Sequence, residues 1–95
     1  MLHHILVKWK ERPADPAPMY AAIHALFQET LAIPGVHKAE LIPNIIDRPN
    51  RYDLLIRIDM DVDALPAYDV SEPHHRWKED YGHLIDKKAI FDSEN

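Results

Sequence analysis

From Leu2 to Lys10 the chain alternates, with His3, Ile5, Val7 and Trp9 on one face and Leu2, His4, Leu6 and Lys8 on the other. That is the period of a β-strand, and apolar side chains on both faces predict a central strand covered from two sides. Glu11 to Pro18 reads as a loop leading into a helix, with Asp15 as N-cap and Pro16 in the first turn, where backbone donors lack partners in any case. Met19, Ile23, Leu26, Phe27 and Leu31 then recur on one helical stripe. Ile33-Pro34-Gly35 closes that helix, because Pro34 disfavours helical geometry in the residue before it and Gly35 accepts a turn. Val36 to Ile42 predicts a second strand, with Pro43 confining its end to an edge or an exit. After a turn-rich connection from Asn44 to Arg51, the series Tyr52, Leu54, Ile56, Ile58, Met60 stands opposite Asp53, Leu55, Arg57, Asp59. This is the clearest strand signal in the chain. Asp61 or Asp63 caps a short helix through Tyr68, and Ser71 caps another that runs to about Leu84. Trp77, Tyr81, Leu84 and Ile85 form its buried stripe, and Ala89-Ile90-Phe91 supplies a last short strand.

Strand, helix, strand, strand, helix in two pieces, strand is the order of two β-α-β halves. It predicts an α+β, ferredoxin-like fold: a four-stranded antiparallel sheet with helices on one face. No repeat or linker divides the chain, so residues 1–95 are expected to form one domain. The face of the first strand that carries Leu2 and Leu6 then lacks cover. Pairing of two such sheets in a homodimer is the expected remedy, and a domain this small gains from it.

Composition narrows the function classes. Acids outnumber bases 16 to 11, for a net charge of -5, which argues against a nucleic-acid partner. With 46% hydrophobic and 28% charged residues the chain is of ordinary globular type rather than disordered. The lack of cysteine removes disulfides, thiol nucleophiles, zinc-thiolate sites and iron-sulfur clusters together. The apolar runs are too short to span a bilayer and the start of the chain does not read as a signal peptide, so no membrane partner and a cytoplasmic location are expected.

Candidate chemistry rests on histidine and tyrosine. His3 and His4 point to opposite faces of a strand, and His74 and His75 stand about 100 degrees apart on a helix. Neither pair can chelate one ion, no His-x3-His occurs, and no metal site is expected. His24 and His37 read as surface residues. His3 shares a face with Ile5, Val7 and Trp9, which fits either a core histidine bonded to backbone or tyrosine, or a general base, since imidazole titrates near neutrality. His74 precedes Trp77 by three residues on the buried stripe, whereas His75 falls on the flank. Tyr68 either closes the packing with a bonded tip or lends its hydroxyl to a histidine or a ligand oxygen. Glu72, Arg76 and Asp80 predict a solvated charge row, Lys87-Lys88 a soluble edge, and Asp47 to Asp53 a turn-rich connection rather than an anion-binding loop.

Taken together, His3 to Lys10, Ile33-Pro34-Gly35-Val36, Tyr52-Asp53-Leu54-Leu55-Ile56, Ala64-Leu65-Pro66-Ala67-Tyr68 with Pro73-His74-His75, and Ile90-Phe91-Asp92 resemble the stress-responsive dimeric α/β barrel (Dabb) family. The segments touch nearly the whole chain in the family's order. The resemblance implies a ferredoxin-like protomer, a homodimer whose sheets pack into a barrel, and a pocket in each protomer between sheet and helices. In a plant branch of the family that cyclises linear polyketides without a cofactor, a histidine of the first strand, a tyrosine and a histidine of the second helical region surround the ligand. Anchored on Lys8-Trp9-Lys10 the first is His3, which shares the face of Trp9, and counted from Met1 it is His4; the tyrosine is Tyr68. For the later histidine, a proline two positions earlier selects His75, whereas ungapped counting and helical phase select His74. A further pocket histidine of that branch, on the third strand, is replaced by Leu54, which implies a greasier cavity lined by Ile5, Ile23, Leu26, Leu54 and Ile56. The resemblance therefore implies His3, Tyr68 and His74 or His75 as catalytic candidates acting on a small aromatic or polyketide-like molecule, with no cofactor. A non-enzymatic stress-associated dimer is the alternative. A heme-linked or cofactor-free monooxygenase on the same fold is weaker, because nothing singles out an axial ligand.

Overall fold

The alternating first segment forms β1 (Leu2–Trp9), in which His3, Ile5, Val7 and Trp9 are buried and the residues between them half-buried, in a computed structural model that describes residues 1–95. With β2 (Val36–Pro43), β3 (Leu54–Met60) and β4 (Ile85–Ser93) it makes one sheet of order β2-β3-β1-β4, every neighbouring pair antiparallel. β1 and β3 are central; β2 and β4 are edges. Three helices, α1 (Ala17–Gln28), α2 (Leu65–Asp69) and α3 (Glu72–Tyr81), pack against one face, giving the ferredoxin-like α+β arrangement. The core is the inner face of β1 and β3 closed by Ile23, Leu26 and Phe27 of α1, Tyr68 of α2 and Trp77 of α3. Phe27 and Trp77 meet edge to face at 5.2 Å and tie α1 to α3. Side chains of this size contribute roughly 1.5–3 kcal/mol each on full burial. Helices cover only one side of β1; its other side, with Leu2 and Leu6, is half-exposed in the protomer, so the expected cover on two sides is met on one.

Several boundaries differ from the pattern's expectation, each for a physical reason. Leu31 does not continue the stripe of α1, because residues Glu29–Ala32 tighten to 3-10 geometry; the phase advance exposes Leu31 and buries Thr30, whose hydroxyl donates to the Phe27 carbonyl at 2.6 Å. The cap position of α1 falls on Pro16, one residue later than expected, while Asp15 still accepts from the amide of Ala17 at 3.2 Å. Ser71 caps α3 as expected, its hydroxyl accepting from the amide of His74. The helix ends at Tyr81, however, and after a 3-10 turn over Gly82–Leu84 the chain enters β4 at Ile85, where Ile85 pairs with Trp9. β4 thus starts four residues before Ala89, and Leu84 is exposed. Gly35 takes φ 90, a conformation that side chains disfavour, and a Cβ there would also stand 3.0 Å from that of Ala64.

β3 starts two residues later than Tyr52. Asp53 is buried, its amide donates to the Val7 carbonyl at 2.8 Å, and its carboxylate accepts from the Trp9 amide at 2.9 Å. A side-chain oxygen thus stands in for the next backbone acceptor of the ladder. Arg12 lies 3.7 Å from the same carboxylate and 2.8 Å from Asp47, which offsets the buried charge. Arg76 departs from the solvated row: besides Glu72 at 3.4 Å it reaches Glu29 at 2.5 Å, joining α3 to the end of the first helical segment.

Candidate functional site

Strand period and helix phase together bring three of the candidates to one place. His3 faces inward because it shares the phase of Ile5 and Val7; Tyr68 closes α2; His74 enters the first turn of α3 behind the Ser71 cap. The ring centroids of His3 and Tyr68 are 5.4 Å apart, edge to face, and those of Tyr68 and His74 are 4.9 Å apart. Tyr68 is therefore the middle of an aromatic chain from strand to helix. His75 lies outside it: its side chain is 71% exposed and pairs with Glu79 at 3.3 Å, since a step of about 100 degrees turns it to solvent. His4 is also separate, on the opposite sheet face, edge to face with Phe91 and bonded to the Phe91 carbonyl at 2.9 Å.

His3 is 6% exposed and its Nδ1 lies 2.5 Å from Oδ1 of Asp92 on β4. An ionised carboxylate only accepts, so this bond takes a proton on Nδ1, and in a neutral imidazole the lone pair is then on Nε2. Asp92 is the functional candidate that sequence reasoning misses. It shares a face with Ile90 two residues earlier, and only the register of β4 against β1 pairs it with His3. The Tyr68 side chain is 1% exposed and its hydroxyl has no hydrogen-bond partner. Burial, and secondarily Asp69, push its pKa well above the ordinary tyrosine value, so the phenol stays a neutral donor. His74 moves the other way: desolvation lowers its pKa, assisted by Lys78 and Lys88 and opposed by its bond to the Asp69 backbone and by the Asp69 charge. A neutral imidazole is favoured there.

The apolar residues expected to line a cavity are placed otherwise. Ile5, Ile23, Leu26, Leu54 and Ile56 are packed core, and no cavity opens among them, because Trp77, Tyr68 and Phe27 fill the layer between sheet and helices. Of the five, Leu54 alone reaches a groove, one of about 440 Å³ on the opposite side of the sheet that Leu6, Ile42, Tyr52 and Leu55 also line. None of the three grooves on the protomer is lined by His3, Tyr68 or His74, which lie beside the β4 margin of the sheet. There no helix packs closely onto β4, and Ile90, although on the inner face, is 50% exposed. No helix of the chain is long and apolar enough to cross a membrane.

No protein-family model matches the chain, and no curated protein matches it. Solved structures do. A dimeric ferredoxin-like protein of unknown function from Jannaschia sp. CCS1 superposes with a TM-score of 0.77 at 20% identity, over 99% of this chain and 97% of that one. A Dabb family protein from Mesorhizobium loti gives 0.66 at 16% identity over 99% and 94%. A hydroxynitrile lyase from Passiflora edulis gives 0.71 at 12% identity, again over 99% and 94%. Likeness over almost the full length of each chain makes this a ferredoxin-like domain with the fold of the Dabb proteins.

Proposed function

We propose that the chain forms a homodimer through its open sheet face and that each protomer binds a small, largely apolar, oxygen-bearing molecule at the β4 margin, acting on it by acid-base chemistry without a cofactor. The observation that carries this reading is the Tyr68 hydroxyl, buried without a partner between two imidazoles. Buried polar groups are nearly always bonded, and an orphan costs roughly 1–3 kcal/mol. A carbonyl or hydroxyl oxygen of a ligand would complete it. In the resulting arrangement Nε2 of His3, backed by Asp92, takes a proton from the carbon next to a carbonyl. The electron pair moves to the carbonyl oxygen, where Tyr68 donates and His74 polarises. Acid-base help of this type is worth about 10²–10⁴ in rate, enough for a facile enolisation.

The same fold carries at least one named lyase among its neighbours and others without a known role, so fold alone does not choose a reaction. The dimer reading is supported by neighbours described as dimeric and by the apolar content of the open face here, where Phe91, Ile42, Leu6 and Leu55 stand exposed or half-buried. A second reading, a non-enzymatic dimer whose histidines satisfy the core, is favoured by the filled interior. A thermal-shift screen of aromatic and polyketide-like compounds, repeated on His3→Ala and His74→Ala, separates the two. The small-molecule reading expects stabilising compounds whose effect is lost in both variants; a screen without one stabilising compound, with both variants simply less stable, supports the structural dimer.

A further inference from the structure

One rung of the outer sheet face is apolar in all four strands. Ile42 pairs with Leu55, Leu55 with Leu6 and Leu6 with Ala89, and paired side chains stand on the same face. On the rung to one side Arg57 and Glu40 neutralise each other at 3.1 Å; on the other Lys8 pairs with Lys87. At its β2 end the apolar rung runs into the groove of about 440 Å³, with walls of Leu6, Ile42, Pro43, Tyr52 and Leu55, and none of the residues lining it is charged. Ile45, in the turn that follows β2, also lines this groove and is 93% exposed. A single exposed apolar side chain is ordinary. Two observations set Ile45 apart. It is continuous with the groove and the rung, so it belongs to a patch and not to a scatter. Its turn is also fixed from inside the protomer: the Ile46 amide donates to Oδ1 of Asn44 at 2.9 Å, Nδ2 of Asn44 donates to the Tyr52 carbonyl at 2.8 Å, the Asn44 amide donates to the Asp53 carbonyl at 2.9 Å, and Arg12 holds Asp47 at 2.8 Å. The protomer thus pins an isoleucine in water with nothing of its own to cover it, and a segment held ready in this way loses little freedom on docking.

We propose that Ile45 is the anchor of the contact between two copies of this chain: the second copy covers Ile45 and closes the groove beside it. This rests on the homodimer reading above and narrows it to the residue that governs assembly. A second copy is the occupant that the surface fits. Projecting side chains, Ile45 and Phe91, lie on the same face as the hollow, so each copy offers what the other lacks, as an isologous contact requires. In a chain of net charge -5, the uncharged groove and rung are also where two copies approach without like charges meeting.

The test is sedimentation equilibrium of the full chain. Because Ile45 packs against no core residue, Ile45→Ser should leave the circular dichroism spectrum of the protomer unchanged. Its dimer dissociation constant should rise at least about thirtyfold, since one substitution removes the anchor from both copies. Ile45→Leu should stay within about threefold of the parent, and Val70→Ser, at the exposed junction of α2 and α3, should change nothing. In the parent, dilution should move the amide resonances of Ile45, Leu6 and Leu55 together. If Ile45→Ser dimerises as tightly as the parent while Leu6→Asp with Leu55→Lys dissociates, the anchor is overturned and the open-face dimer stands. A dimer that survives both sets of substitutions overturns the open-face contact and the anchor with it. A parent that is monomeric at every concentration overturns the second copy as occupant; resonances of Ile45 and Leu6 moved by anilinonaphthalene sulfonate would then assign the groove to a small apolar ligand.

Discussion

Protonation at His74 couples the site to stability. Its folded-state pKa lies below the ordinary value of 6.5, because burial disfavours the imidazolium and Lys78 and Lys88 add to that. Between the two values the unfolded chain therefore binds more protons than the folded one. The stability contributed by this residue is complete above about pH 6.5 and declines as pH falls below it. His74→Gln should flatten the stability profile across that interval in denaturant titrations; an unchanged slope would place the pH dependence elsewhere. Asp92 presents a different case, since its carboxylate stands 2.5 Å from Nδ1 of His3. In Asp92→Asn the amide offers a donor as readily as an acceptor, so the Nδ1 tautomer that the proposed base requires is no longer enforced. Turnover of any substrate found should fall by at least about tenfold while ligand-induced stabilisation persists, whereas equal losses of both would make Asp92 a packing residue. These residues were unequally visible in the sequence. Period and phase alone bring His3 inward and prefer His74 over His75, but Asp92 acquires meaning only through β4 pairing, which local pattern does not encode.

Elements whose faces differ sharply in polarity are readable from sequence, and those exposed on both faces are not. β1 and β3 alternate because one face is core, and their interior positions emerge directly from the pattern. β4 is an edge strand with only Ile85, Ala89 and Ser93 half-buried, so Asp86-Lys87-Lys88 conceals its first half and Ile85 resembles a helical position. The start of β3 is set by tertiary chemistry, the Asp53 carboxylate replacing a backbone acceptor for Trp9. Asp53→Ala should destabilise the fold by about 1–3 kcal/mol in denaturant unfolding, the cost of leaving that buried amide unpaired, and Asp53→Asn should recover a good part because its side-chain carbonyl still accepts. Equal losses in the two variants would show that charge pairing with Arg12, not the amide bond, is what matters there.

For the molecule as a whole, the sheet divides two functions. Its inner face builds the core and, at the β4 margin, the candidate site; its outer face presents Leu6, Leu55, Ile42 and Phe91 around the Arg57-Glu40 pair. A mixed surface of this kind suits an isologous contact, in which each patch meets its own copy. Leu6→Asp with Leu55→Lys should shift the mass measured by light scattering from dimer to monomer without removing the β-sheet signal in circular dichroism. A chain that is already monomeric, or a double variant that remains dimeric, would contradict an interface on this face.

The unpartnered phenol between the two imidazoles bears the most weight, and Tyr68→Phe tests it with one substitution read two ways: unfolding free energy and the thermal shift produced by a ligand. A hydroxyl kept for a ligand predicts a variant as stable as the parent, or more stable by up to about 1 kcal/mol, that no longer responds to compounds stabilising the parent. A variant less stable by more than about 1 kcal/mol with its ligand response intact would show that the hydroxyl serves the fold and not the site.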